Sequence, residues 1–381
     1  MKIISLIRAL GTASLVLVAA CATADTAYRE IPISEFADAI KHWNDRTGET
    51  DAAHYAFTQI PQIADNILRY QRADAGWPSN KHPTRILSAA EQKDLAAQQH
   101  LTDASFDNRN IYPQINYLAR AYQQTGDSRY RDGALRGIDY ILKNQYKNGG
   151  WPHTPASTKA TYHQHITFAD DVMTGLLQFL RDVTNSQSHF AFISPETLAD
   201  IRSAIHKGDQ LILQLQINID GKPTVWAGQY DKHTLVPVGA RSFELPALLA
   251  WESVAVVDYL MRIENPTDEI KNAVHAAAAW FDQAKIEGLT LQKISHPRTR
   301  YPYHTADYDL KIIRDRNAEP LWARFYDLKT QQPFFANRDG KKVFSLEDVN
   351  HERRTGYSWY GTWPSTLLST RYPAWRARTT M

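Results

Sequence analysis

Ile67-Leu68-Arg69-Tyr70-Gln71, followed at the same interval by Gly76-Trp77-Pro78, returns as Ile141-Leu142-Lys143-Asn144-Gln145 followed by Gly150-Trp151-Pro152. It returns again as Ile212, Leu213, Gln216 and Gly221, and more faintly as Ala279, Trp280, Gln283 and Gly288. Each copy lies roughly seventy residues after the last, the mark of a repeat architecture. Between copies the apolar residues keep helical spacing, as in Ile115, Leu118, Ala119 and Tyr122, and in Val172, Leu176, Leu177 and Leu180. Each period therefore reads as two helices, with the glycine as helix stop and the Trp-Pro step leading an extended loop away. A run of such pairs predicts a mostly α chain, an α/α toroid or helical solenoid with its loops gathered at one end. Any one period alone would be no more than an antiparallel helix pair.

Two regions break the period. Residues 221–245 carry Thr224, Val225, Trp226, Thr234, Val236 and Val238 among Gly, Pro, Asp and His, which reads as short strands or loops. Residues 289–350 are rich in Pro, Arg, Tyr and Asp with little helical period. In a helical toroid such excursions build the rim of a cleft, where functional residues concentrate.

The 381 residues, 43% hydrophobic and 22% charged, have the composition of a folded globular protein. With 43 Lys and Arg against 41 Asp and Glu, the net charge of +2 gives no electrostatic reason to expect nucleic acid, so any anion must be recognised by local clusters. Met1-Lys2, Arg8 and the apolar run Leu15 to Ala20 read as an export signal occupying residues 1–24, too short to span a membrane. Cleavage before Asp25 suits an ordinary signal, and cleavage before Cys21 suits a lipoprotein box. Cys21 is the only cysteine, and a lone thiol in an oxidising compartment favours the lipid anchor. Residues 25–375 are then expected to form a single domain, exported and monomeric, with no transmembrane segment.

Candidate chemistry lies near helix starts and in the irregular regions. Asp107-Asn108 precedes a helix beginning near Pro113, and Asp170-Asp171 opens another one period later. Helix capping explains such carboxylates as readily as function does. The functional alternative is a shared oxygen-ligand site of the kind calcium accepts, assembled from distant loops because no EF-hand is present. Arg241, Arg324 and Arg338 stand in the irregular regions. Arginine clusters are more often ordinary ion pairs, but Arg241 and Arg324 sit among apolar neighbours, where a planar guanidinium suits a uronate carboxylate. Trp77, Trp151 and Trp226 beside their turns are candidates for a sugar-binding platform. No Gly-x-Ser-x-Gly elbow occurs, and His163 with His165 lacks the spacing of a zinc protease pair.

Several stretches taken together resemble the pectate lyases of polysaccharide lyase family 10. They are QRADAGWPSN (71–80), FDNRNIYPQ (106–114) running on to GGWP (149–152), ITFADDVM (166–173), TVWAGQYD (224–231), VGARSFELPAL (238–248), PLWARFYDL (320–328), RDG (338–340) and ERRTGYSWYGTWP (352–364). Each is weak alone, and their shared order makes the likeness specific. The resemblance implies an (α/α)3 toroid with a small amino-terminal helical portion. It also implies calcium as cofactor and endo-acting anti-β-elimination of α-1,4-linked polygalacturonate to 4,5-unsaturated products. On that basis Asp107, Asn108 and either Asp170 or Asp171 are similar to the metal ligands. Arg241 and Arg324 correspond to substrate contacts, which Trp77 and Trp151 would join as platform residues, and Arg338 to the catalytic base. The chain departs from the family at Arg109-Asn110, where small residues are usual, and at Ser79, where a lysine is usual and Lys81 stands nearby.

Two other readings compete. One is a glycoside hydrolase of the unsaturated-uronyl type on a related toroid, with Asp107 and Asp170 or Asp171 as its carboxylate pair. The other is a surface lipoprotein that binds pectin through the tryptophan loops without cleaving it.

Overall fold

The computed structural model describes residues 28–185 and 188–379, so the export signal and Cys21 lie outside the described residues. Its helices are α1 (Ala37–Thr47), α2 (Ile60–Tyr70), α3 (Ala89–Gln98), α4 (Tyr112–Thr125), α5 (Ser128–Lys143), α6 (Val172–Thr184), α7 (Pro195–Gln214), α8 (Ala250–Arg262), α9 (Asp268–Ala284), α10 (His351–Thr355) and α11 (Tyr372–Thr379). Starts are written locally. Ser194 caps α7 by accepting from the Thr197 amide ahead of Pro195, and Thr267 does the same for α9 through Ile270. Helix α6 buries Val172, Met173, Leu176, Leu177, Leu180 and Val183, one apolar face at helical spacing.

Three helix pairs, α4 with α5, α6 with α7 and α8 with α9, pack side by side. Helices α4, α6 and α8 are neighbours in one layer, while α2, α5, α7 and α9 form the other. This is the mostly α toroid that the repeat predicts.

The repeated residues turn out to be the fastenings of the outer layer. Each motif tryptophan donates its indole N–H to a carbonyl near a helix end: Trp77 to Ile67 at 2.8 Å, Trp151 to Ile141 at 2.8 Å, and Trp226 to Ile212 at 2.7 Å. Trp322 does so to Phe281 at 2.8 Å. Such carbonyls lack intrahelical partners, so each bond satisfies an orphan acceptor. The motif glutamines reach sideways to the next outer helix. The side-chain amide of Gln71 donates to Gly133 of α5, that of Gln145 to Ala204 of α7, and that of Gln216 to Ala273 of α9.

The glycines are not helix stops, which corrects the sequence reading. Helices α2 and α5 end at Tyr70 and Lys143, several residues before Gly76 and Gly150. Those two glycines are required by close approach, since a Cβ would stand 2.6 Å from Ala104 Cβ at the first and 2.6 Å from Ile166 Cγ1 at the second. The excursion at 289–350 is also more ordered than expected. It contains a long antiparallel hairpin, Leu289–Arg300 paired with Thr305–Arg314, with a register irregularity between Ser295 and Thr299. The hairpin carries Leu291, Leu310 and Ile312 against a second, smaller core built on Phe243, Phe325, Phe334, Phe335 and Trp359.

Candidate active site

The repeat places the site residues near the starts of α4, α6 and α8. The amide of Ser105 donates to Trp77 O at 3.1 Å, that of Thr167 to Trp151 O at 3.0 Å, and that of Leu249 to Trp226 O at 2.9 Å. Three residues beyond these equivalent anchors stand Asn108, Asp170 and Glu252. The correspondence extends to the backbone: Asn108 and Arg109 both have φ of 55°, while Asp170 and Asp171 have φ of 54° and 55°. Consecutive left-handed residues without glycine are costly, and such strain concentrates at functional sites. None of these side chains caps its helix.

On the acidic edge, Asp107 Oδ1 lies 3.1 Å from His153 Nε2, and its own amide donates to Ser105 Oγ. Burial raises the Asp107 pKa, but His153 and Arg241 more than offset it and leave it lowered. Burial works against a charged His153 too, yet the hydrogen bond and charge of Asp107 leave its pKa raised. Asn108 donates to Asn80 Oδ1 at 2.9 Å and to Asp107, leaving its own carbonyl oxygen without a protein hydrogen bond among the described residues. Asp170 has its pKa raised to about 7, by burial first and the charge of Asp107 second, against the pull of Arg324 and Arg241. Asp171 faces elsewhere. It accepts from Arg109 Nε at 2.7 Å, and Arg109 also reaches Asp38 of α1. The unusual arginine after Asp107-Asn108 therefore takes up Asp171 and leaves Asp170 opposite Asp107.

Facing this edge are the arginines. Arg241 pairs with Glu244, Nε to Oε2 at 2.7 Å, and its side chain is 53% exposed. Arg324 is buried between Trp251 and Tyr357, 4.5 and 4.6 Å from their ring centres, and is neutralised by Glu252. Arg338 donates twice to Glu352, at 3.1 and 2.9 Å, and Glu352 also binds Arg353. The ring of Phe243 underlies three of these guanidinia: Arg241 at 5.0 Å, Arg338 at 5.3 Å and Arg353 at 4.7 Å. Tyr357 ties the group together by donating to Glu244 Oε1. Paired arginine contacts bring Glu244 and Glu352 each down to about 2 against the effect of burial.

The structure thus brings Asp107, Asn108, Asp170, Arg241 and Arg324 together, with Arg338 across Phe243 from them. It does not bring in Trp77 and Trp151. At 1% and 0% exposure, with indoles spent on helix ends, they form no sugar platform, and neither does Trp226. Lys81 lies over Tyr70, with Arg46, Arg72 and Asp103 as its charged neighbours, so it supplies no cation to the site. Sequence reasoning missed His153, Glu252, Glu352 and Tyr357, whose signals are pairings distant in sequence, and also Glu244, which stands only three residues from Arg241.

One signal was legible. Trp226-Ala-x-x-Tyr230-Asp231-x-x-Thr234-x-x-Pro237 recurs as Trp322-Ala-x-x-Tyr326-Asp327-x-x-Thr330-x-x-Pro333. Both copies fold alike. Tyr230 and Tyr326 accept from Ala227 and Ala323 amides and donate to Leu215 and Ala284 carbonyls, while Asp231 and Asp327 close the following turns. Arg241 and Arg338 follow the two prolines by four and five residues, and both guanidinia lie over the Phe243 ring.

For calcium, the residues present fit in chemistry. Two carboxylates and one free amide oxygen are hard oxygen donors of the kind calcium takes, and the neighbouring His153 nitrogen is occupied by Asp107. A cation would also offset the burial and the Asp107 charge that together raise the Asp170 pKa. Among the described residues no group of three or more His, Cys, Asp or Glu is placed to hold a metal, so only two carboxylates would serve a cation here. A separate cavity of about 320 Å3 among α4, α6 and α8 is lined by Glu35, Asp171, Asp182 and Asp258. Its carboxylates make it a poor host for an anionic ligand.

A helical toroid whose rim opposes carboxylates to fixed guanidinia belongs to the class of enzymes that handle acidic sugars. The chain belongs to the pectic acid lyase family, whose model matches residues 71–368, and it is a pectate lyase. Among solved structures it is similar to a family 10 polysaccharide lyase from Cellvibrio cellulosa, with 27% identity and a TM-score of 0.70, over 91% of this chain and 98% of that one. An aspartate-to-alanine mutant of such an enzyme from the same organism, in complex with trigalacturonic acid, matches with the same identity and TM-score over 99% of its length. Among curated proteins none matches the chain.

Proposed function

We propose that the enzyme cleaves polygalacturonate within the chain by calcium-assisted anti-β-elimination, with Asp107, Asn108 and Asp170 on the metal side and arginines on the other. The observation that carries this reading is the facing pair of edges, carboxylates unrelieved of their mutual repulsion on one side and guanidinia on the other. The trigalacturonic acid held by the related mutant enzyme supports the substrate class.

The C5 proton of a galacturonate is α to a carboxylate, whose charge opposes carbanion formation. Calcium bound at Asp107, Asn108 and Asp170 would supply Lewis-acid neutralisation of that charge. Arg324, fixed by Glu252 and two aromatic faces, adds a positive charge that needs no rearrangement during reaction. A neutral guanidine takes the C5 proton, the C5–H electrons form the C4–C5 double bond, and the C4–O4 bond breaks. The oxygen leaves and is protonated by water.

The resemblance assigns the base to Arg338. We place the base at Arg241 instead, because its charge is felt by both Asp107 and Asp170. Glu244 holds Arg241 as Glu352 holds Arg338, and although burial works against its charge, the Glu244 contact leaves its pKa raised, so the neutral form must be reached against that pairing. Nη1 of Arg241 makes no protein hydrogen bond among the described residues and is free to meet substrate. Arg338 is left as a contact for a neighbouring carboxylate. Neutral guanidine is scarce at ordinary pH, so activity is expected to rise into the alkaline range. Arg241→Lys is expected to lower kcat by about a thousandfold, the middle of the usual range for proton transfer, with trigalacturonate still bound. Arg338→Lys is expected to raise KM chiefly. A dead Arg338→Lys beside an active Arg241→Lys would return the base to Arg338.

Export and a lipid anchor at Cys21 remain part of this proposal, supported by the amino-terminal sequence. Radiolabelled fatty acid is expected to enter the wild-type protein and not Cys21→Ser. Equal labelling of both would remove the anchor.

A further inference from the structure

The hairpin Leu289–Arg314 stands out by charge. It carries Lys293, Arg298, Arg300, Lys311 and Arg314 against Asp307 and Asp309, and Asp309 is already paired with Arg354 at 2.6 Å. Among the described residues none of those five cations has a carboxylate partner, whereas the arginines around Phe243 are all paired. Unpaired surface charge by itself is only a solvated face. Here it leads to the site. The turn Tyr301-Pro302-Tyr303-His304 brings the Tyr303 ring to 5.2 Å from the Arg338 guanidinium, yet Tyr303 remains 73% exposed. Arg300 pairs across the ribbon with Thr305 at the base of this turn, and Arg298 lies in the irregularity just before it.

The tip is held, not loose. Tyr301 Oη lies 2.5 Å from His351 Nδ1, His304 Nε2 lies 3.0 Å from Thr355 Oγ1, and the Tyr308 hydroxyl donates to Thr355 O. A Cβ on Gly356 would stand 2.5 Å from the His304 ring, so the docking of tip on α10 leaves no room to spare. All of these partners lie on or beside α10, which also supplies Glu352 to Arg338. An exposed aromatic ring and unpaired arginines are thereby preorganised next to the carboxylate-binding side of the cleft.

We infer that this hairpin is a binding arm for polyuronate residues beyond those in the cleft, with Tyr303 stacking on a sugar ring and Arg298 and Arg300 taking carboxylates. The inference rests on the proposed function, since it extends the same substrate. It replaces the tryptophan platform that the fold buries.

The test compares substrates of two lengths. Arg298→Ser with Arg300→Ser, and separately Tyr303→Ala, are assayed on trigalacturonate and on long polygalacturonate by the absorbance of the unsaturated product, at low and moderate salt. KM for the polymer is expected to rise at least tenfold more than KM for trigalacturonate, and polymer binding by the arginine variant is expected to lose much of its salt dependence. Arg298→Lys with Arg300→Lys is expected to keep most polymer affinity. Equal losses on both substrates, or no loss on the polymer, would overturn the arm. Absence of unsaturated product from the wild type on either substrate would instead defeat the functional reading itself.

Discussion

With its pKa raised to about 7, Asp170 keeps a proton in the folded chain at pH values where the unfolded chain, near the ordinary aspartate value, has lost it. Between those two values the native state binds more protons, so stability falls as pH rises, and the full penalty is present above about pH 7. Asp170→Asn is therefore expected to stabilise the metal-free protein by on the order of 1–2 kcal/mol at about pH 8, with the gain vanishing toward pH 4, and to abolish activity. Thermal midpoints of both proteins in EDTA across that range check it. Unchanged midpoints at high pH would show that neither burial nor the Asp107 charge penalises an ionised Asp170. Arg324 and Glu252 separate stability from catalysis differently. Arg324→Met alone strands a buried carboxylate and is expected to cost about 3–5 kcal/mol. Adding Glu252→Met is expected to recover most of that stability by denaturant unfolding, while activity stays lost. Recovery of activity in the double variant would make Arg324 merely structural.

At the scale of elements, the motif that revealed the fold does so because its residues serve helix ends. Trp151→Phe removes the indole donor to Ile141 O and leaves that carbonyl unpaired, a change expected to cost about 1–3 kcal/mol. KM for polygalacturonate is expected to stay within about twofold, whereas a platform tryptophan stacking on sugar would raise it severalfold. This explains what was legible. Gln71, Gln145 and Gln216 bridge successive outer helices, so one local pattern encodes a layer. The long hairpin was not legible because its strands bury only one side lightly and mix Lys, Arg and His with Leu and Ile, blurring the alternation that marks a strand. The glycines were misread for a related reason. Close approach and a left-handed turn both select glycine, and only coordinates tell Gly76 from Gly221, whose φ is 78°.

For the whole molecule, a near-neutral charge conceals an ordered arrangement of opposite fields. Carboxylates gather at the starts of α4 and α6, and arginines gather on the second core. Asp107, Asn108, Arg241 and Arg324 could be named from short motifs because each lies in a continuous family-like segment. Glu244, three residues after Arg241, is just as local, but Glu252 is 72 residues from Arg324 and Tyr357 is 113 from Glu244, so those pairings could not be read. The choice of Asp170 over Asp171 needed Arg109, 62 residues from Asp171. The direct test of the elimination mechanism is the ultraviolet absorbance of products from polygalacturonate, recorded with calcium, after EDTA, and after calcium is restored. The account predicts absorbance from the C4–C5 double bond that stops with EDTA and resumes on restoration. New reducing ends without that absorbance, or absorbance indifferent to EDTA, would contradict it.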